Sequence, residues 1–270
     1  MCRTLSVSRS GFYKWCQTRD CQKESANKQL VGHIRRIYHD SDRNYGSPRI
    51  TAALRQQGIV CNHKRIARLM RINGIRSKLK RKFKVTTSSA HNRRVAPNLI
   101  NQNFAAPMPD RLWTSDITYI WTREGCLYLA VFLDACTRRI VGWSMGHRLN
   151  DSLITAAFKQ AQHLRQPKHG LIVHSDRGSQ YCGKRFKELL ADGQFQQSMS
   201  STGNCYDNAI TESFFGTLKT ELVHDRYYRT RSQARNSIFK YIEIFYNRRR
   251  IHSAINNMSP EQYEKMNFAA

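Results

Sequence analysis

Three short segments near the N-terminus carry apolar residues at helical spacing. They are residues 28–40, 47–57 and 62–73, and Gly58 and Gly74 follow the second and third as helix stop signals. Each segment is polar on its other face. The pattern therefore predicts a small all-α region in which every helix buries one apolar stripe.

The third predicted helix is strongly basic. Ile66, Leu69 and Met70 form its apolar stripe, and cationic side chains cover the rest of its surface. These cations are Lys64, Arg65, Arg68 and Arg71. Two helices joined by the short turn GIVCN, with the second one basic, are what a helix-turn-helix reader of DNA needs. A small helical bundle with a solvated basic face fits the same pattern, and the spacing leaves both interpretations open.

Farther along the chain the pattern changes to β-strands that alternate with helices. Three β-rich runs separated by short breaks come first, which is typical of an antiparallel meander. A helix, a buried-type strand, a second helix, a short strand and a third helix follow. The predicted strands are 111–122, 126–136, 138–145, 170–176 and 195–200, and the predicted helices are 150–164, 182–193 and 208–221. This order predicts an α/β, ribonuclease H-like fold, a mixed five-stranded sheet flanked by helices.

The charge of the chain is large and unevenly spread. The 270 residues contain 45 Lys and Arg against 19 Asp and Glu, a formal net charge of +26. Residues 1–100 hold 23 of these cations and only 4 of the acids. Such a surplus favours a polyanionic partner, and nucleic acid rather than a membrane. Because no apolar run approaches the ~18–20 residues of a spanning helix and residues 1–22 lack a signal-peptide core, we expect a cytoplasmic, nucleoid-associated protein.

A basic and polar segment lies between the two regions. Six of the nine residues from Arg76 to Lys84 are Lys or Arg. They include Lys78, Lys80, Arg81 and Lys82. An arm of this kind can follow a phosphate backbone without reading sequence, and a solubilising tether is the alternative. The predicted organisation is a helix-turn-helix-like DNA-binding region, a basic linker and an α/β domain with a helical tail, at residues 1–75, 76–106 and 107–270.

Two common classes of site have no signature in the sequence. The eight Cys contain no C-x-x-C, and none pairs with His at zinc-ligand spacing, so we expect no zinc and mostly buried, reduced thiols. There is no G-x-x-x-x-G-K-[ST] phosphate-binding loop either. We therefore expect no nucleotide cofactor.

Three acids stand at positions suited to catalysis. Asp116 interrupts the first apolar strand, Asp176 ends the fourth, and Glu212 lies near the start of the helix after the fifth. Taken singly, they fit a solvent-facing edge charge, a turn residue and a favourable charge in a first helical turn. Taken together, they favour metal-dependent phosphodiester chemistry, because hard cations such as Mg²⁺ bind carboxylate oxygens and two such ions suffice for the reaction.

The helix that carries Glu212 has two distinct faces. At 100° per residue, Glu212, Gly216 and Lys219 share one side. The apolar side consists of Ile210, Phe214, Thr217 and Leu218. Since Gly is a poor helix former, Gly216 indicates that another group approaches closely there. A solvated Glu and Lys with an incidental Gly is the alternative.

Three further acids receive structural interpretations. Asp134 fits a strand-to-turn corner, and Asp207 fits a cap for the helix that carries Glu212. Glu221 faces the opposite side of that helix. These acids are poorer candidates for metal ligands than the first three.

The sequence around the catalytic candidates resembles a known family. The segments WTSDITY from Trp113, HSDRGSQY from His174 and STGNCYDNAITESFFGTLKTE from Ser201 are similar to the motifs of DDE transposases and retroviral integrases, with 35 residues between the last two acids. YGSPRI from Tyr45 and YNRRRIHSAINNMSP from Tyr246 are similar to the helix-turn-helix and C-terminal motifs of OrfB-type transposases of bacterial insertion sequences. The resemblance covers nearly the whole chain.

This resemblance implies an activity and a site. Asp116, Asp176 and Glu212 would hold two Mg²⁺ or Mn²⁺ ions, and Lys219 would contact a phosphate of the DNA end. The implied reaction is nicking at element ends, followed by attack of the freed 3′-OH on another phosphodiester, in this group through a circular intermediate. The implied partners are double-stranded DNA, further copies of the chain and an upstream-frame product fused by frameshifting. A DNA-binding regulator with a silent core and a nuclease that hydrolyses without joining remain as alternatives.

Overall fold

The computed structural model of the chain divides into two compact units, residues 1–78 and 79–270. Each unit is described by itself below. The described residues are 2, 4, 6–78, 95–201 and 205–268, without the side chains of 17–22, 205 and 206.

The described part of the first unit contains three helices, α1 (Arg9–Asp40), α2 (Ser47–Gln56) and α3 (His63–Ile72). Fully buried aliphatic side chains from all three meet in its core, among them Ile34, Ile50 and Ile66. α2 and α3 are each followed by a glycine in the left-handed region, Gly58 with φ of 77° and Gly74 with φ of 67°. The three predicted helices and their stop signals are therefore confirmed.

α1 is much longer than the sequence pattern predicts. It begins at Arg9 instead of residue 28, and the Ser8 hydroxyl caps it by accepting a hydrogen bond from the Gly11 amide at 3.0 Å. Among the described side chains of α1, Leu30 is the first that is buried. The earlier turns therefore carry no apolar periodicity by which a sequence pattern could reveal them. Although α1 has 32 residues, neither it nor any other described helix is long and apolar enough to cross a membrane.

The second unit is built on a mixed sheet, which has five strands in the described residues. They are β1 (Leu112–Thr122), β2 (Gly125–Asp134), β3 (Ile140–Gly146), β4 (Ile172–Ser175) and β5 (Gln196–Met199). Their spatial order is β3-β2-β1-β4-β5. The first three strands pair as an antiparallel meander, whereas β4 and β5 run parallel to β1. The predicted meander and the mixed sheet are confirmed.

Helices cover both faces of this sheet. They are α4 (Asp151–Arg165), α5 (Lys184–Asp192), α6 (Ala209–Leu218), α7 (Arg231–Phe239) and α8 (Pro260–Phe268). Successive strand residues point to opposite faces. Phe132 of β2 accordingly packs with Phe158 of α4, while its neighbour Val131 lies in a second cluster with Phe214 of α6 and Ile238 of α7. α4 and α5 therefore lie on one face of the sheet, and α6 and α7 lie on the other.

Part of the segment assigned to the linker packs on the second unit. Val95 and Ala96 lie against the core between the sheet and α4. The Leu99 amide donates a hydrogen bond to the Ser198 hydroxyl of β5 at 2.9 Å, and Ile100 is buried. These residues follow the edge strand instead of forming an extended tether.

The cysteines differ from the expectation of mostly buried thiols. Cys61 and Cys182 are buried. Four others with described side chains are only partly buried, namely Cys2, Cys16, Cys126 and Cys136. The expectation is therefore wrong for most of the cysteines that the structure describes.

Candidate active site

Two of the predicted acids follow paired residues of neighbouring parallel strands. Ser115 of β1 is in register with Ser175 of β4, and the next residues are Asp116 and Asp176. β4 ends at Ser175, so Asp176 stands at the carboxyl end of a strand, where open α/β sheets present ligand sites. Asp116 remains within β1 and is half-buried. The strand register thus brings the two acids to one edge of the sheet.

Hydrogen bonds to β1 hold the start of α6 at the same edge. The Asn208 amide group donates to the backbone carbonyl of Ser115 at 3.1 Å. The Thr211 hydroxyl donates to the Thr114 hydroxyl at 2.7 Å, and both side chains are buried. Glu212, the next residue, lies in the first turn of α6 with an exposed side chain. The third acid therefore stands at the mouth of the site.

The three carboxylates are near enough to repel one another. Burial raises the pKa of Asp116 well above its usual range, and the charges of Asp176 and Glu212 raise it further. The Ile117 amide and Lys219 act in the opposite direction. Partial desolvation also raises the pKa of Glu212, and the charge of Asp176 raises it further. Such a concentration of negative charge is typical of a site that receives cations.

Backbone amides orient two of the carboxylates. The Ile117 amide donates to Oδ1 of Asp116 at 2.7 Å, and the Gly178 amide donates to Oδ1 of Asp176 at 3.0 Å. Tyr181 lies beneath them, fully buried, with its hydroxyl 2.8 Å from that of Ser115. Burial raises the pKa of Tyr181, and Asp176 and Asp116 raise it further, so the phenol stays neutral. Sequence reasoning missed this tyrosine, although the HSDRGSQY motif contains it.

A buried histidine supports the strand that leads to Asp176. His174 is 2.8 Å from the Ser198 hydroxyl through Nδ1 and 3.3 Å from the Ser200 hydroxyl through Nε2. Burial lowers its pKa to about 4, so the ring is neutral near pH 7. Arg177, which follows Asp176, donates to the backbone carbonyl of Ser200 at 2.7 Å. β5 thereby fixes the chain on both sides of Asp176.

The predicted cap at Asp207 is wrong. Oδ2 of Asp207 accepts hydrogen bonds from the Ser201 amide at 2.7 Å and from the Asn98 side chain at 3.0 Å. Asn208 occupies the N-cap position before α6, without a capping hydrogen bond from its side chain. Asp207 is buried and joins the loop before α6 to the segment preceding β1, a contact between residues far apart in sequence.

The other two acids lie close to their predicted places. Asp134 at the end of β2 accepts backbone hydrogen bonds from Thr137 at 2.8 Å and Asp110 at 2.7 Å, which confirms a strand-to-turn corner. Glu221 is buried away from the site and forms an ion pair of 2.8 Å with Arg250. Neither acid belongs to the catalytic candidates.

The two faces predicted for α6 are confirmed. Phe214, Thr217 and Leu218 are buried, and Phe215 is buried as well, which the sequence analysis did not predict. Lys219 begins a π-helical segment (Lys219–Val223) and is half-buried, with its ammonium 5.3 Å from the centre of the Tyr119 ring. Burial lowers the pKa of Lys219, opposed by Asp116. A methyl group added at Gly216 would have no described atom within 4 Å apart from its chain neighbours and the backbone of its own helix, so this face is open to an external group.

The family models that match the chain place this site in context. The model described as "Integrase core domain" matches residues 106–205, a second of that description matches 212–268, and "HTH-like domain" matches 25–83. The transposase InsF for insertion sequence IS3A of Escherichia coli (strain K12) is 42% identical over all of this chain and 94% of its own length. The chain belongs to the integrase-core transposases of insertion sequences. This membership makes it a transposase with a polynucleotidyl transferase core.

One further relative of this transposase and one solved structure extend the comparison. The transposase for insertion sequence element IS904 of Lactococcus lactis subsp. lactis (strain IL1403) is 44% identical over 91% of this chain and 97% of its own length. The intasome of simian T-cell lymphotropic virus, solved in complex with PP2A regulatory subunit B56 gamma, aligns with a TM-score of 0.50. The alignment covers 85% of this chain and 73% of the matched chain in the intasome, at 14% identity. The intasome structure supports the ribonuclease H-like fold.

The basic residues predicted to contact DNA differ in how far the structure exposes them. All four predicted cations of α3 are exposed, and Arg65 also donates to the Asn27 side chain at 2.8 Å. Lys78 is partly buried, 3.8 Å from Asp42. Lys80, Arg81 and Lys82 lie outside the described residues.

The acids suit hard cations, although no single closed site is formed. Among the residues that the structure describes, no group of three or more His, Cys, Asp or Glu is arranged to hold one ion. Mg²⁺ keeps several waters and takes only one or two carboxylates from a protein, so pairs of acids meet its needs. The mutual repulsion at Asp116 is what such an ion would relieve. The carboxylates therefore fit divalent ions shared among them.

Proposed function

We propose that the chain nicks DNA at the ends of its insertion sequence and joins the freed 3′-OH to a second phosphodiester. Asp116, Asp176 and Glu212 would hold two Mg²⁺ or Mn²⁺ ions for this purpose. The observation that carries the proposal is the convergence of these carboxylates from β1, the end of β4 and the first turn of α6. A protein that only bound DNA would gain nothing from such negative charge beside a phosphate backbone.

The residues of the chain prepare the site for the substrate. When bound, the ions supply positive charge that activates the attacking oxygen and stabilises the leaving oxygen. The amides of Ile117 and Gly178 fix the orientation of two carboxylates. Lys219, on the open face of α6, would bind a phosphate of the DNA end.

The first chemical step cleaves a phosphodiester bond, and the second step keeps the number of these bonds constant. In nicking, water attacks phosphorus, the bond to the 3′ oxygen breaks, and that oxygen leaves with a proton. In joining, the resulting 3′-OH loses its proton and attacks another phosphodiester, whose own 3′ oxygen leaves protonated. One bond forms as one breaks, so no nucleotide is consumed, and attack beside the opposite element end gives a circular intermediate.

The central test uses labelled DNA that carries the element ends, incubated with the chain and Mg²⁺. Wild type should nick and join, whereas Asp116→Ala, Asp176→Ala and Glu212→Ala should each abolish both steps and retain DNA binding. Asp192→Ala removes an exposed acid at the end of α5 and should leave both steps intact. Joining that survives in one of the three variants would remove that residue from the site.

Metal binding can also be measured without activity. A ligand at ten times its Kd stabilises the folded state by roughly 1.4 kcal/mol, which raises the unfolding midpoint by about 3–6 °C. Mg²⁺ should give such a shift in wild type and in Asp192→Ala, relative to NaCl of equal ionic strength. A shift of the same size in Asp116→Ala would contradict the assignment of Asp116 as a ligand.

The reaction also implies partners. Two DNA ends must react at one place, so we infer a homo-oligomer on double-stranded DNA. The helix-turn-helix-like region at 1–75 and the basic linker at 76–106 would bind the duplex outside the catalytic domain at 107–270. An upstream-frame product would supply further recognition of the ends, and the assembly would work at the nucleoid in the cytoplasm.

A further inference from the structure

A groove of about 550 Å³ opens in the second unit beyond Asp116. One wall runs from Tyr119 to Arg123, at the end of β1 and just after it. The other wall is the π-helical segment that begins at Lys219, together with the turn that follows it. Ile120 and Tyr228 are buried at its base. This volume lies within the range of roughly 300–1,000 Å³ that is typical of ligand sites.

The groove exposes aromatic rings to solvent. As whole residues, Trp121 is 69% exposed and Tyr227 is 68% exposed. Tyr119 is exposed too, and its ring meets that of Trp121 edge-on at 5.9 Å. Exposed rings grouped in one concave site indicate a partner with flat apolar surfaces. Nucleobases are such partners, because every base can stack on an aromatic side chain.

Cations stand beside these rings. The Arg123 guanidinium lies 5.3 Å from the centre of the Tyr227 ring, and its Nε donates a hydrogen bond to the Tyr227 hydroxyl. Lys219 lies over Tyr119 in the same manner, and Arg226 also lines the groove. Each pairing of a ring with a cation offers stacking to a base and a charge to the adjoining phosphate.

Lys219 connects the groove to the acids. It lines the groove, and its charge also acts on Asp116. It follows Glu212 on the same face of α6 by nearly two turns. A strand that reaches the acids along this face therefore continues into the groove.

From these contacts we infer that the groove binds a few unpaired nucleotides of the DNA strand adjoining the phosphate that reacts. Their bases stack on Trp121 and Tyr227, and their phosphates lie at Arg123 and Lys219. Bases inside a duplex stack on each other and expose only their edges, so the strand must be unpaired there. The inference rests on the proposed function, because the acids define which phosphate reacts.

The experiment compares the binding of two DNAs by the full-length chain in EDTA, where no cleavage occurs. Both carry one element end, and one has four mismatched bases beside the cleavage position. Wild type should bind the mismatched DNA more tightly, and Trp121→Ala and Tyr227→Ala should each lose about fivefold or more of that preference, with paired DNA bound as before. Trp121→Phe should keep most of it. Leu164→Ala, which truncates a side chain that is 66% exposed on α4, is the matched control.

A second measurement reports stacking directly. A 2-aminopurine among the mismatched bases should be quenched on binding to wild type and should regain fluorescence with Trp121→Ala. Because both rings are exposed, the unfolding midpoints of the variants should match that of wild type. An unchanged preference and unchanged quenching in both alanine variants would overturn the inference and leave the groove to another occupant, such as a peptide strand.

The two proposals can fail separately. If wild type nicks and joins in Mg²⁺ while the ring variants keep their preference for mismatched DNA, the groove inference is wrong and the proposed function stands. If the preference depends on the rings but wild type never nicks, the inference stands and the proposed function is wrong.

Discussion

Asp116 stands where its charge is disfavoured. Burial raises its pKa, and the two other acids raise it further. The unfolded chain has no such penalty, so the metal-free folded state loses stability by keeping this carboxylate charged. Functional sites commonly hold destabilised groups of this kind.

Replacing Asp116 with Asn should stabilise the metal-free protein at neutral pH. The amide oxygen can still accept from Ile117, and each kcal/mol gained raises the unfolding midpoint by about 2–4 °C. A raised folded-state pKa gives stability that is complete below the unfolded pKa of about 3.9 and is lost as pH rises through the folded value. The gain over wild type should therefore shrink as pH falls from 8 to 4. Midpoints measured in EDTA test this, with Asp192→Asn as control, and a gain independent of pH would contradict it.

Gly216→Ala should separate stability from activity. A methyl group at this position meets no described atom within 4 Å, and Ala is favoured over Gly in a helix by about 1 kcal/mol. The unfolding midpoint should rise, while nicking should fall because the methyl group occupies the face that DNA approaches. The exposed Ser213→Ala on the same helix should leave nicking unchanged and raise the midpoint by less, because Ser is a better helix former than Gly. Full nicking by Gly216→Ala would mean that the glycine is incidental.

At the scale of whole elements, the sequence pattern predicted the helices and strands whose formation depends on residues close together in the chain. The strands of the meander are short runs rich in apolar and aromatic residues, and α4 to α6 carry apolar stripes, so their order could be read from the sequence. The first turns of α1 bury no described side chain before Leu30 and left no pattern. Tyr181 was missed because its partner, Ser115, lies far away in sequence. The role of Asp207 was misassigned for the same reason, since its partner Asn98 is equally distant along the chain.

The three acids proposed as metal ligands became candidates through local patterns as well. Asp116 and Asp176 interrupt or end apolar strands, which is visible locally. The groove was not visible, because it forms only where the end of β1 meets the turn after α6. Tyr119, Trp121 and Tyr227 look like ordinary strand and loop aromatics until that packing is known.

A buried ion pair ties the end of α6 to the C-terminal segment. Glu221 and Arg250 have side chains only 7% and 5% exposed, and Glu221 also accepts from the Tyr241 hydroxyl at 2.8 Å. Removing one partner of such a pair leaves an uncompensated buried charge, at a cost of about 3–5 kcal/mol. This contact therefore fixes the π-helical segment that carries Lys219.

Arg250→Met should accordingly lower the free energy of unfolding by about 3–5 kcal/mol in urea titrations. Adding Glu221→Leu should recover much of the loss, since the buried carboxylate is removed as well. Arg248→Met is the control, because Arg248 is 65% exposed and 3.8 Å from Glu261, a pair worth about 1 kcal/mol or less. Equal losses in Arg250→Met and Arg248→Met would show that the buried pair contributes nothing special.

At the scale of the whole molecule, the cations of α3 should govern the salt dependence of DNA binding. Each phosphate contact contributes about 0.9 to the slope of log K against log salt concentration. Replacing Lys64, Arg68 and Arg71 with Ala should reduce the slope by roughly two to three. Replacing Lys184 and Lys265, which are exposed on the second unit, is the control. An unchanged slope in the α3 variant would favour the bundle with a merely solvated basic face.

The order of these parts along the chain determines when each of them is synthesised. The cationic helices of residues 1–78 are synthesised roughly 130 residues before Glu212 is added. At about 5–20 residues per second, that interval lasts roughly 7–27 s. Once these helices have emerged, the nascent chain carries cations that attract DNA, while its third carboxylate does not yet exist. The proposed cutting must therefore wait until Glu212 has been added.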